Sequence, residues 1–212
     1  MESCVFESGE RAMTNIIVAI VYHSGAGHTA RQAAAVRRGV DQVRGVTSLF
    51  LTSEEAQRQW DALEKSDAII FGTPTYMGSV AAQFKAFMEA SIKAYLNGAW
   101  KDKIAAGFTN SASRSGDKLN TLVTLAIFAA QHGMHWVSLG LPPGNNRSTG
   151  TEQDVNRLGF FLGAGAQSNA DEGPEAAPPE SDLLTAEQLG KRVAETTVQF
   201  AKGREFTVAT PG

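Results

Sequence analysis

Cysteine is almost missing: Cys4 is the single one among 212 residues. No internal disulfide can form, which suits a reducing, cytoplasmic compartment. Nowhere does the chain approach the ~20 consecutive apolar residues that crossing a bilayer needs. Residues 1–14 hold Glu2, Glu7, Glu10 and Arg11 and no apolar run, so they fail as a secretory signal and are expected to form a disordered tail. Cys4 falls in that tail, where an incidental thiol is expected. Runs of Lys or Arg are absent and the net charge is only −3, so nothing invites nucleic acid or an anionic membrane. No cluster of His, Cys and Asp has metal-ligand spacing, and no metal is expected. Charged residues, at 19%, are too few for a disordered chain, and a 42% hydrophobic share allows one domain with a sizeable core.

What is present is an alternation of apolar runs and helical patterns. Ile16 to Tyr22 is apolar on both faces, as a strand covered on both sides must be. Val46 to Thr52, Asp67 to Gly72, Ile104 to Phe108 and Trp136 to Leu139 predict four more strands. Between them lie helical segments at Thr29 to Val43, from Ser53 through Trp60 and Leu63, Ala81 to Ala94 and Thr121 to His132. A last helix is predicted over Thr185 to Ala201, with a C-terminal tail over 203–212. Five strands alternating with helices predict an α/β fold, a doubly wound five-stranded parallel sheet with helices on both faces. The domain is expected to span 15–202. Gly140 to Asp182 far exceeds the usual connection of about 4–6 residues. Its Phe160-Phe161-Leu162 is unlike a linker, so the segment is expected to cover a ligand or build a subunit interface.

In such a sheet ligands bind beyond the carboxyl ends of the strands, where the strand order reverses. In a flavodoxin-like order, 2-1-3-4-5, that point lies between strands one and three. The loops after strands one, three and four are then expected to converge, and all three are rich in Gly, Ser, Thr and Asn. The first, Ser24-Gly25-Ala26-Gly27-His28-Thr29, opens a helix, whose unpaired N–H groups and dipole favour a phosphate. It has no Lys or Arg and lacks the Gly-Lys-Ser/Thr of a triphosphate loop, so a monophosphate fits better. Gly25-Ala26-Gly27-His28-Thr29-Ala30 also matches a dinucleotide fingerprint, although only Glu54 stands near the required acid position. That second reading stays open on the residues alone.

The order of Ser24–Thr29, of Asp67-Ala68-Ile69-Ile70-Phe71-Gly72-Thr73-Pro74-Thr75, of Gln83 to Phe87 and of His132-Gly133-Met134 resembles the WrbA-type NAD(P)H:quinone oxidoreductases and NADPH-dependent FMN reductases. The resemblance runs from about Ile16 to Phe200. It implies a flavodoxin fold, bound flavin mononucleotide (FMN), NAD(P)H as donor, a quinone-like acceptor and a homo-oligomer, dimer or tetramer. By position it implies that Ser24, Gly25, Ala26, Gly27, His28 and Thr29 hold the FMN phosphate. It implies that Pro74, Thr75, Tyr76, Met77, Gly78 and Ser79 line the isoalloxazine ring, and that Asn110, Ser111, Ala112 and Ser113 bond near its pyrimidine end. His132 is implied as the catalytic residue beside the open face of the ring. The chain departs from the family at Tyr76-Met77, where Arg-Phe is usual, and at Ser113-Arg114-Ser115-Gly116, which replaces a glycine-rich loop. An aromatic that a neighbouring subunit adds to the site corresponds to Tyr95, with Trp100 second. Apart from the resemblance, His132 reads as a helix-end residue satisfying the last carbonyls, and Arg114 as a loop charge or a partner for flavin or NADPH phosphates. An electron carrier of the flavodoxin type is the alternative to an enzyme.

Overall fold

A computed structural model describes residues 15–208, so the expected tail over 1–14, with Cys4, lies outside the described residues. The chain runs β1 (Ile16–Tyr22), α1 (His28–Asp41), β2 (Val46–Thr52), α2 (Ser53–Ala56), α3 (Trp60–Lys65), β3 (Ala68–Tyr76) and β4 (Ser79–Val80). It continues through α4 (Ala82–Ala90), α5 (Ile92–Leu96), β5 (Ile104–Ser111), α6 (Lys118–Gln131), β6 (His135–Trp136), β7 (Ala164–Gln167) and α7 (Glu180–Val208). Strands pair in the order β2-β1-β3-β5, all parallel, and the fifth place beside β5 is shared by β6 and β7. This is the doubly wound flavodoxin-like sheet.

The apolar strands are apolar on both sides because both sides are covered. Val18 and Ile20 of β1 face Val36 and Val40 of α1 and Leu189 and Val193 of α7. Ala19 and Val21 face the other way, into a layer that includes Phe71, Phe84, Phe87, Trp100 and Phe128. Helices α1 and α7 cross with almost nothing between them. A Cβ at Gly39 would lie 1.9 Å from the Glu187 carbonyl oxygen, and one at Gly190 2.0 Å from that of Val36. Those two glycines set the depth at which the layer closes.

Several boundaries differ from the sequence pattern, each for a local reason. The helix expected over Ala81 to Ala94 is divided at Ser91, whose Oγ donates to the Met88 carbonyl 2.7 Å away while its N–H still reaches the Phe87 carbonyl at 3.2 Å. The third strand runs on to Tyr76 and turns back through Met77-Gly78 into β4; both turn residues have positive φ, 48° and 81°. That is a type I′ hairpin, with methionine in a conformation that favours Asn or Gly. The last helix starts at Glu180 rather than Thr185, just after Pro178-Pro179 and with Glu180 and Asp182 in its first turn. It also continues to Val208, so residues 203–208 of the expected C-terminal tail are helical, and 209–212 lie outside the described residues.

The largest difference is the fifth strand. The run Trp136 to Leu139 was expected to fill it, yet β6 pairs only with Ile104 and Ala105. The chain then leaves the sheet, reaches Pro142-Pro143, and returns as β7 beside Phe108 to Ser111. The 137–163 segment is therefore an insertion into the middle of the fifth strand. Its Phe160 ring lies over Gly165 of β7, where a Cβ would meet the ring at 2.3 Å. Among the described residues no helix is long and apolar enough to cross a membrane.

Candidate functional site

Beyond the carboxyl ends of β1, β3, β5 and β7 opens a cleft of about 490 Å³. Its wall includes Ala26, His28, Thr29, Pro74, Thr75, Tyr76, Met77, Gly78, Asn110, Ser111, Ala112 and Ser113, so the three polar loops meet there. Ser24, Gly25, Gly27 and Ser79 shape the wall from behind it. The Ser24 hydroxyl accepts from the Ala30 N–H at 3.1 Å and closes the first loop. A Cβ on Gly25 would come within 2.5 Å of the Tyr76 hydroxyl, which lies across this loop. Gly27 caps α1 in the left-handed region at φ 88°, with no side-chain cap. Ser79 pairs with Tyr76 in the hairpin.

The first turn of α1 is left open to a ligand. A helix start has N–H groups without intrahelical partners. Ala30 gives its N–H to Ser24, whereas among the described residues those of His28 and Thr29 have no partner. The Thr29 hydroxyl also has none, although the residue is buried at 2% exposure. No Lys or Arg stands on the cleft wall. Unpaired amides at a helix dipole, with a hydroxyl beside them, fit a single phosphate.

The loop after β5 is organised in a complementary way. Its carbonyls are all held by the protein: Ser111 by the Ser168 N–H at 3.2 Å, Ala112 by the Gln167 Nε2 at 3.0 Å, and Ser113 and Arg114 by the Lys118 Nζ. The N–H groups of 112–115 make no hydrogen bond among the described residues. In a trans peptide each N–H points opposite the preceding carbonyl. The captured Ser111 and Ala112 carbonyls therefore turn the Ala112 and Ser113 N–H groups away from Gln167 and Ser168, and both residues line the cleft. Under the floor, Thr75, Thr109 and Thr121 join hydroxyls at 2.8 Å, so the Thr75 side chain is spent on the core while its backbone borders the cleft.

A fourth loop, after β7, belongs to the same cleft and was not expected by residue. Ser168, Asn169 and Ala170 line it, together with Gly116 and Asp117. The Ser168 hydroxyl donates to Asn110 Oδ1 at 3.0 Å. Further on, the loop covers the phosphate turn: His28 Nε2 donates to the Glu172 carbonyl at 2.8 Å, Arg31 Nη1 to that of Pro174 at 2.6 Å, and the Pro174 ring sits against Gly27. The one available signal was the small polar run Ser168-Asn169 after the small-residue stretch Ala164-Gly165-Ala166.

His132 does not line this chain's cleft. It caps the far end of α6, and a helix of 14 residues spans ~21 Å. Its ring is buried, bonded through Nε2 to the Ser91 hydroxyl at 3.0 Å and packed on Trp100 with centroids 4.3 Å apart. Burial pulls its pKa down to about 4. The unfolded chain, near the ordinary 6.5, binds a proton that the folded chain refuses, so stability is full above pH 6.5 and falls as pH drops toward 4. The loss should be on the order of 3 kcal/mol. Denaturant unfolding at pH 7 and 4.5 should show it in the native chain and not in His132→Phe; equal pH slopes would contradict the assignment.

Two further groups tune the loop after β5. Lys118, completely buried, has its pKa pulled down to about 8 by burial; Asp182 opposes that drop and Arg157 adds to it. Arg114 pairs with Glu152 of the insertion, whose carboxyl is held below its usual range by hydrogen bonds from Arg114 and Arg157. Among the described residues no cluster of His, Cys, Asp and Glu is arranged to hold a metal.

The comparisons with known proteins agree with this geometry. The family described as NADPH-dependent FMN reductase matches residues 49–141. Flavodoxin FldP of Pseudomonas aeruginosa is 42% identical over 181 residues, 85% of this chain and 96% of that one. An NAD(P)H dehydrogenase (quinone) of Geobacter sulfurreducens is 31% identical over 205 residues, covering 86% and 98%. The crystal structure of a WrbA-like flavodoxin from Agrobacterium tumefaciens superposes with a TM-score of 0.68 at 40% identity, over 87% of this chain and 99% of that one. The chain belongs to the flavodoxin-like family of WrbA-type NAD(P)H:quinone oxidoreductases and NADPH-dependent FMN reductases.

Proposed function

We propose that this chain is an FMN-dependent oxidoreductase that passes electrons from NAD(P)H to a quinone or similar acceptor. The observation that carries the reading is the cleft itself, with unpaired amides at the start of α1 at one end and the amides of Ala112 and Ser113 at the other. His28, Thr29 and the backbone around Gly27 would hold the phosphate. Pro74 to Gly78 would flank the ring, and Asn110 to Ser113 its pyrimidine edge. FMN, when bound, accepts a hydride from nicotinamide and returns electrons to an acceptor. The chain supplies orientation, exclusion of water under Tyr76 and the loop after β7, and fixed N–H dipoles where negative charge collects.

Self-association belongs to the proposal. The outer face of α6 shows Leu119, Val123 and Ile127 at successive turns, with no charged residue between Leu119 and Gln131. Beside its far end Ile92, Tyr95 and Leu96 of α5 are exposed as well. Such an uninterrupted apolar face suits a second copy of the chain. Tyr95 is free to reach a neighbour's cleft, whereas Trp100 is buried and is not.

The test is a spectrum. Purified protein should carry or take up FMN, bleach with NADPH under anaerobic conditions and recolour with benzoquinone. Protein that takes up no FMN would end this reading. The similarity to flavodoxin FldP favours a second one, a carrier without its own turnover. In that case NADPH leaves the colour unchanged, while dithionite-reduced protein still passes electrons to an added acceptor.

A further inference from the structure

Lys118 is a costly residue for its place. It is wholly buried, and it occupies the first position of α6, where the helix dipole already presents positive charge. The preceding Asp117 caps the helix with its backbone in the left-handed region, φ 56°, and makes no side-chain cap. The Asp182 carboxylate acts on its charge from a distance, but every hydrogen bond of the ammonium goes to a backbone carbonyl. What the ammonium does touch is specific: the Ser113 carbonyl at 2.5 Å and the Arg114 carbonyl at 3.1 Å. Both belong to the loop whose residues Ser111, Ala112 and Ser113 line the cleft.

We propose that Lys118 is a positioning residue for the flavin site: by holding the Ser113 and Arg114 carbonyls beneath the loop, it fixes the end of the segment whose Ala112 and Ser113 line the cleft, so that their N–H groups stay set toward the cofactor edge where negative charge gathers on reduction. The inference rests on the reading that this cleft holds FMN. It goes beyond that reading because Lys118 itself does not line the cleft. Gln167 and the Ser168 N–H hold the two preceding carbonyls in the same manner, so Lys118 completes a row begun by β7. A row with its last two members released would still bind oxidised FMN through the phosphate turn. It would lose preference for the reduced form, whose charge the N–H groups meet.

The experiment compares native protein with Lys118→Met, which keeps the stem and removes the ammonium, and with Lys118→Arg, which keeps charge and donors. Binding of oxidised FMN is followed by fluorescence, and the midpoint potential by equilibration with reference dyes. Lys118→Met should weaken reduced FMN about tenfold more than oxidised FMN, which lowers the two-electron midpoint by about 30 mV. Lys118→Arg should recover at least part of that difference. An unchanged ratio of the two affinities in Lys118→Met would overturn the inference while leaving the FMN reading intact. Failure of the native protein to take up FMN would sink both. Should Lys118→Met not fold, Lys118→Gln serves the same comparison and is held to the same outcome.

Discussion

Arg157→Ala should destabilise the fold by about 3–5 kcal/mol, the usual cost of stranding one half of a buried ion pair. Arg157 comes from the inserted segment, and its side chain is only 4% exposed. Its Nε and Nη2 donate to the two carboxylate oxygens of Asp182, each at 2.8 Å, and Nη1 donates to Glu152. Asp182 is more deeply buried still, at 1% exposure, and accepts one further bond from the Gln167 N–H at 2.8 Å. Without the guanidinium that carboxylate keeps a single donor and has little access to water. In a chain of this size the loss should appear as a fall in melting temperature of roughly 10 °C. Replacing both partners, Arg157→Leu with Asp182→Leu, should recover only part of it: the stranded carboxylate is gone, but the Gln167 N–H loses its acceptor and buried Lys118 its nearby carboxylate. A single variant that melts within a degree or two of the native chain would show that the pair contributes little.

The same variant should reach the cleft. Asp182 holds the Gln167 backbone, and the Gln167 side chain donates to the Ala112 carbonyl and to Asn169. Arg157 also donates directly to the Gln167 side chain at 3.2 Å. The insertion thus grips α7, α7 grips the end of β7, and β7 fixes the loop after β5 that lines the cleft. An insertion that breaks the fifth strand would ordinarily loosen the sheet edge. Here a buried bidentate pair ties it back, and the tie ends at the binding site. Within the long segment, then, the insertion braces the edge of the cleft, and the loop after β7 packs on the turn before α1.

Much of the architecture was legible because strands covered on both faces must be apolar throughout, and Ile16 to Tyr22 and Ala68 to Phe71 are. The split fifth strand was not. Trp136 to Leu139 has the residues of a strand, yet Val137 and Leu139 reach the core from outside the sheet. The true continuation, Ala164-Gly165-Ala166-Gln167, is built of residues that strands ordinarily avoid. It can be a strand only because the Phe160 ring occupies the space a side chain at Gly165 would fill, and that contact joins residues whose pairing no periodicity reveals. The hairpin at Met77-Gly78 was hidden for a similar reason, since methionine gives no signal of a left-handed turn.

Within the cleft, the meeting of the turn before α1 with the loop after β5 was legible from their small polar residues. His132 stands apart from this chain's cleft, and topology carries the reason. In a parallel α/β sheet each helix starts at the carboxyl edge of the strands and returns to the opposite edge, so a residue in the last turn of α6 lies a helix length from the cleft. Lys118, at the other end of the same helix, was overlooked because a lysine in a polar loop reads as a solvated charge. Only the fold shows that it points inward.

The strongest test of the binding site is Thr29→Glu, which should abolish FMN binding without harming the fold. Thr29 stands in the first turn of α1, with its hydroxyl and N–H unpaired and facing the cleft. A carboxylate there complements the helix dipole, which offsets part of the cost of placing it at a position only 2% exposed, so the cofactor-free protein should still fold and melt cooperatively. Toward a phosphate it has the opposite effect. Two unit charges about 5 Å apart at an effective dielectric constant near 20 repel by about 3 kcal/mol, and a phosphate carries more than one. FMN affinity should therefore fall at least ~100-fold, since each tenfold step is about 1.4 kcal/mol. Riboflavin, which lacks the phosphate, separates charge repulsion from a damaged cleft: its weaker affinity should be the same in both proteins. Equal loss for riboflavin and FMN would mean that the glutamate merely blocks the ring. Unchanged FMN affinity would mean that the amides at the start of α1 hold something other than this phosphate.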